Sequence, residues 1–201
     1  RDRWVDFAQN QGKSTGGFCA SPYGVHSYIL LSWNNRMSDV FTLAHELGHS
    51  MHTFYSNKNQ TFVNSEYPLF LAEIASTTNE AILLEGLKKT TARKEELMAL
   101  CNYQLEQIRG TVYRQTLFAE FEREVHGLAT RGEALTGEKL TQVYRELNER
   151  YYAGAEVDDD IAIEWMRIPH FYRAFYVYQY ATGFSAAVAF SRRALSGDEE
   201  K

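Results

Sequence analysis

Val40, Phe41, Ala44, Leu47, Gly48 and Met51 recur at the spacing of one helix face. A helical period governs most of the chain beyond them. The spacing predicts a helix from about Asp39 to Tyr55, with Ser38 as its N-cap and Asp39 in a first turn that favours negative charge. Pro68 suits the start of a second helix running to about Leu84, with Gly86 behind it as a stop. Thr91 can cap a long helical region, Ala92 to Ala129, whose apolar face includes Leu100, Leu117, Phe118 and Phe121 and which Gly110 can bend. A further helix fits Glu138 to Tyr152 behind Thr136. After Asp158-Asp159-Asp160 come Ile161 to Ile168 and, past Pro169, a last helix to about Leu195.

The front of the chain has a different texture. Arg1 to Met37 holds Gly12-Lys13-Ser14-Thr15-Gly16-Gly17 and Ser21-Pro22-Tyr23-Gly24, then the β-prone run Tyr28 to Trp33. Gly16-Gly17 either lets a backbone approach closely or forms a flexible turn. The fold class is therefore mainly α, with a small β element near the N-terminus. At 201 residues the chain makes one domain or two small ones. It opens at Arg1 without a Met, and so reads as a piece of a longer protein.

His45-Glu46-Leu47-Gly48-His49 is the segment that carries chemistry. On a helix, residues four apart lie one turn apart, about 6 Å along the axis, so both imidazoles can bind one Zn²⁺. Glu46 is rotated about 100° from His45, which makes it a poor ligand but leaves it able to take a proton from a water on the metal. A pattern this short arises by accident in roughly one chain in a hundred, so its surroundings must decide. A catalytic zinc usually has three protein ligands. Glu73, inside the apolar run Leu71 to Ala75, lies where an antiparallel second helix can present it; the alternative is a solvated glutamate on a helix face. Ser76 and Glu80, at i+3 and i+7 from Glu73, either orient a ligand histidine or face water. His52 lies about 10.5 Å of helix rise from His45, too far for the same ion, and reads as a core or supporting histidine.

A second cluster comes late, from Pro169-His170 to Ala181-Thr182-Gly183. Tyr172, Tyr176 and Tyr180 repeat every four residues and so share a helix face with His170 at its start. Their phenol and imidazole groups can hold a peptide carbonyl or an oxyanion, or they can form an aromatic core stripe. His26 and His126 have no partner at metal-ligand spacing. Cys19 and Cys101 read as small buried apolar residues, and two cysteines are too few for a disulfide framework, which fits a reducing compartment.

The net charge of −5 comes without a basic stripe, which argues against nucleic-acid binding. Apolar runs are too short for a membrane span, and no signal peptide is visible, so the expected location is the cytoplasm. Two functional readings stand. One is a metallopeptidase, and the other a non-catalytic helical module that binds a metal or a partner.

Three segments together resemble oligoendopeptidase F, a bacterial branch of the thimet-oligopeptidase-like zinc peptidases. They are Phe41 to His52, Phe70 to Ala81, and His170-Phe171-Tyr172 with Tyr176 to Gly183. The resemblance implies a zincin-like catalytic domain with a bundle of helices around the zinc helix. It implies one Zn²⁺ held by His45, His49 and Glu73, Glu46 as general base, and substrate or transition-state contacts from His170, Tyr176 and Tyr180. It also implies that Tyr28 to Trp33 pairs with the substrate backbone and that Gly16-Gly17 lies near the cleft. Short peptides are the implied substrates. Family members are about three times longer, so the implied partner is an absent N-terminal region that roofs a channel.

Overall fold

The computed structural model describes residues 4–197; the opening Arg1 to Arg3 and the closing residues 198–201 lie outside the described part. Two compact units emerge, residues 1–102 with 183–201, and residues 103–182.

In the first unit, three short strands, β1 (Val5–Asp6), β2 (Gly17–Ala20) and β3 (Tyr28–Leu31), form a sheet in the order β1-β3-β2. β1 runs parallel to β3, and β2 antiparallel to it, with Cys19 opposite Ile29. Alternation along β3 buries Ile29 and Leu31 and leaves Tyr28 in water, as a sheet with one covered face requires. The cover is helix α1 (Met37–Asn59), against which β2 and β3 pack. Helix α2 (Leu69–Thr90) returns along α1.

Two of the expected helix boundaries are corrected. Arg36, not Ser38, is the N-cap of α1. Asp39 makes this start possible, since its carboxylate accepts the backbone N–H groups of Asn34 (2.7 Å) and Arg36 (2.9 Å). Those hydrogen bonds, Arg36 first, hold its pKa below the usual carboxylate range. Gly86 does not stop α2, which continues four residues past it to Thr90. Isolated glycine costs a helix about 1 kcal/mol, a penalty a long packed helix absorbs. Pro68 is the N-cap of α2, where its missing N–H is no loss.

Helix α3 (Lys94–Gln107), a π-helical turn at Ile108–Tyr113 and helix α4 (Arg114–Thr130) follow one another without a loop. Gly110, where the sequence allows a bend, lies inside that wider turn. α5 (Gly137–Tyr151) starts where expected, with Thr136 Oγ1 accepting the Lys139 N–H at 3.2 Å. The short α6 (Asp159–Ala162) is capped by Asp158, whose carboxylate accepts the Ile161 N–H at 2.8 Å. Leu117, Phe118, Phe121, Tyr144, Leu147, Ile168 and Val177 form the core of the second unit.

The last helix is the largest departure from the sequence reading. Beyond Pro169 the chain makes a tight 3₁₀ turn, Pro169–Tyr172, and α7 begins only at Tyr178, running to Ser196. Phe175 interrupts the helical pattern, adopting φ of 57°, a left-handed conformation unusual for a bulky residue. The buried Glu122 on α4 accepts the Phe175 N–H at 2.5 Å, and the His126 ring lies 4.7 Å from the Phe175 ring. Local helix propensity yields there to a tertiary hydrogen bond. No helix among the described residues is long and apolar enough to cross a membrane.

Candidate metal centre

Helix periodicity puts His45 and His49 on one face of α1, and their Nε2 atoms lie 3.1 Å apart. Glu73 enters from the first turns of α2. Its Oε2 is 3.4 Å from His45 Nε2 and 4.0 Å from His49 Nε2. A tetrahedral ion with bonds of about 2.1 Å separates neighbouring ligand atoms by about 3.4 Å. The three measured spacings bracket that value, so the group can hold a metal ion, and all three side chains are half-buried. His52 is not part of this group. It stacks on Tyr67 with ring centroids 3.8 Å apart, and its Nδ1 is buried with no hydrogen-bond partner among the described residues. Burial lowers its pKa, as suits a neutral packing histidine.

Glycine makes the approach of the two helices possible. A Cβ at Gly48 would fall 2.6 Å from the Ser76 Cα and 3.0 Å from the Ala75 carbonyl oxygen, both backbone atoms. α2 can lie against α1 at this depth only because position 48 has no side chain. Asn79 adds a cross-helix tie, its Nδ2 donating to the Ala44 carbonyl at 2.6 Å.

Around the ligand atoms the polar side chains are paired. Glu80 Oε1 sits 2.7 Å from His45 Nδ1, which fixes the ring and turns its other nitrogen toward Glu73. Ser76, fully buried, places its Oγ 3.2 Å from Glu73 Oε2. Neither faces water: Glu80 contacts a histidine as expected, whereas Ser76 contacts the Glu73 carboxylate and no histidine. Burial disfavours charge on His45, but hydrogen bonds to Glu73 and Glu80, with their charges, overrule it and push its pKa up to about 10. For His49, burial and the charge of His45 act together and lower it. Glu73 is lowered despite its burial by the hydrogen bond and charge of His45.

Glu46 lies against the sheet. It is buried, and its Oε1 would lie 2.7 Å from a Cβ placed on Gly17. Gly17 therefore serves close approach, with β2 passing directly over the Glu46 carboxylate. Burial raises the Glu46 pKa, helped by the charges of Glu73 and Glu80 and opposed by His45. Tyr28 to Trp33 is corrected in two respects. The strand ends at Leu31, and it is the middle strand, with β1 and β2 occupying both edges. Its backbone is not free to pair with a substrate, whereas among the described residues β2 pairs with β3 on one side only.

A cavity of about 700 Å³ opens from His49 and Glu73 and is lined beyond them by Cys19, Tyr23, Phe62 and Tyr67, among others. Cys19 is half-buried there, its thiol pKa raised by burial, whereas Cys101 is exposed, contrary to its reading as a core residue.

In the second unit the structure brings His170, Tyr176 and Tyr180 together. The His170 ring lies 5.7 Å from that of Tyr176 and 6.0 Å from that of Tyr180, and the two phenol oxygens are 3.1 Å apart. The means differ from the expected helix face: of the three tyrosines, only Tyr180 is on an α-helix, and Tyr172, at the end of the 3₁₀ turn, is 90% exposed. Glu122, which holds the turn before Tyr176, gave no signal in the sequence beyond a glutamate on a predicted apolar helix.

The family model that describes peptidase family M3 matches residues 1–201. The chain belongs to peptidase family M3. Within that family it is similar to oligopeptidase PepF of Bacillus subtilis, 49% identical over 195 residues that make up 96% of this chain and 29% of the relative. A crystal structure from Chlamydophila abortus superposes with a TM-score of 0.84 at 43% identity, over 98% of this chain and 33% of that one. The crystal structure of oligoendopeptidase-F from Enterococcus faecium gives 0.70 at 45% identity, over 82% and 29%. The chain thus spans about a third of the length of the M3 relatives it matches.

Proposed function

We propose that this chain is the metal-binding catalytic region of a zinc-dependent oligoendopeptidase that hydrolyses short peptides. The observation that carries the reading is the meeting of His45, His49 and Glu73 at 3.1, 3.4 and 4.0 Å with a buried Glu46 beside them, in a chain of family M3. A donor set of two imidazoles and one carboxylate suits Zn²⁺ and leaves a position for water and substrate, where the ion would act as a Lewis acid. A structural zinc site usually closes with cysteine or a fourth ligand, which disfavours the non-catalytic module.

The residues then divide the work. Glu80 and Ser76 hold His45 and Glu73 in their orientations. Glu46 takes the proton of the attacking water at a carboxylate oxygen and passes it to the leaving amine, a transfer that a raised pKa assists. His170 and a tyrosine of the late cluster, Tyr176 or Tyr180, bind the substrate or donate hydrogen bonds to the oxygen on which negative charge develops. The part of the protein beyond this third of its relatives' length completes the substrate channel.

Metal content by mass spectrometry tests the reading, alongside hydrolysis of a quenched-fluorescent peptide. About one zinc per chain is expected, lost in Glu73→Ala. A folded protein that takes up no zinc even when it is supplied would overturn the proposal in favour of the helical module.

A further inference from the structure

Phe62 and Val63 are among the most exposed apolar residues of the molecule, at 71% and 85%. They do not sit on a loose loop. The turn that carries them is held by Ser65, whose Oγ donates to the Phe62 carbonyl at 3.0 Å, and Ser56 Oγ donates to the Ser65 carbonyl at 2.6 Å. From the opposite side the Tyr23 hydroxyl donates to the Gln60 carbonyl at 3.0 Å, and the Tyr23 ring meets Phe62 edge-on at 5.5 Å. Apolar surface fixed in water in this way costs free energy without a packing return in the described residues. It borders the same cavity that His49 and Glu73 open onto.

We propose that Tyr23, Phe62 and Val63 form a specificity wall that seats an apolar side chain of the peptide, a deepening that rests on the peptidase reading. An occupant of this cavity must present polar backbone at the His49 and Glu73 end and an apolar group at the other, as a peptide with a bulky aliphatic or aromatic residue does. A volume of about 700 Å³ accommodates a short peptide segment. Charge sharpens the choice. Apart from the proposed metal ligands His49 and Glu73, whose charge a bound Zn²⁺ outweighs, the described lining contains the carboxylate of Glu66 and no lysine or arginine, so an acidic side chain at the apolar end finds no cationic partner. The exposed Glu66 is solvated and needs no cationic occupant. The expected order at one substrate position is therefore Leu or Phe, then Ala, then Asp.

The test uses the full-length, zinc-loaded protein and peptides identical except for one residue, set to Leu, Phe, Ala or Asp at each position flanking the cleaved bond. At one position the wild type is expected to favour Leu or Phe over Ala by about tenfold in kcat/KM. In Phe62→Ser/Val63→Ser that ratio falls toward one, Val63→Ser alone reduces it partway, and Phe62→Leu retains it. Peptide affinities measured by fluorescence anisotropy on a Glu46→Gln background, where turnover is blocked, are expected to shift in the same pattern. A selective wild type whose ratio is unchanged in the double variant overturns the wall while sparing the peptidase reading, as does an equal loss for every peptide. A wild type that cleaves no peptide at all overturns both.

Discussion

His45, Glu46, His49 and Glu73 are carried by two long regular helices, α1 and α2, whereas His170, Tyr176 and Tyr180 are gathered by a 3₁₀ turn, a left-handed residue and the first turn of α7. In the first grouping the backbone is at its local preference everywhere, and one glycine lets the helices close. In the second, Phe175 is held away from its preference by the buried Glu122. The candidate metal ligands have to meet closely, and two regular helices bring their donor atoms within 4.0 Å of one another. The proposed substrate contacts, as hydrogen-bond donors, tolerate more slack, and a pinned turn suffices.

Four substitutions break or sharpen this contrast. The largest effect is expected from Glu46→Gln, which keeps the shape of the helical grouping and removes its proton acceptor. Peptide turnover should fall about 10²- to 10⁴-fold while zinc content stays near one per chain. Near-normal hydrolysis would show that the base lies elsewhere. Gly48→Ala attacks the close approach itself. With backbone atoms 2.6 to 3.0 Å from the new methyl, α1 and α2 must separate, at about 3 kcal/mol of stability in a urea titration and with weaker zinc retention. If stability is unchanged, the helices are not as tightly matched as the geometry requires. Glu80→Ala leaves all three ligands in place but frees the His45 ring, and zinc affinity measured against a competing chelator should drop about ten- to a hundredfold. Glu122→Ala probes the other grouping. It leaves the Phe175 N–H without its acceptor, an expected loss of about 1 to 2 kcal/mol seen in thermal unfolding, with zinc content untouched. Loss of zinc in that variant would mean that the two groupings are not independent.

The helical part of this molecule is legible residue by residue. Periodicity placed α1 and α5 within a few residues of their observed ends, and the four-residue spacing of His45 and His49 is sufficient for their shared face, because both depend on local geometry alone. Boundaries failed where a distant or flanking group intervened. Asp39 caps the N–H groups of Asn34 and Arg36 and moves the start of α1 ahead of Ser38. The final helix fails for the same kind of reason. A run from His170 to Tyr180 with good helical spacing is interrupted by a hydrogen bond from α4, which lies some fifty residues earlier. The spacing of Tyr172, Tyr176 and Tyr180 grouped the right kind of residue but chose one wrong member, Tyr172. The central place of β3 was likewise invisible, since which strand holds an edge depends on pairing partners and not on the strand's own composition.

What the sequence determined by itself is the helical class, the shared face of His45 and His49 on α1 and the candidate chemistry of Glu46, all of which follow from side chains at fixed offsets along the chain. The tertiary structure alone decided that Glu73 meets the two histidines, that Glu80 reaches His45 and Ser76 reaches Glu73, that β2 passes over Glu46 at Gly17, and that His170 joins Tyr176 and Tyr180. The physical reason is range. Helix periodicity is a local property of the chain, whereas the depth at which α2 can lie against α1 and the turn at Phe175 are set by contacts between segments far apart in sequence, where a missing Cβ or one buried carboxylate outweighs local preference.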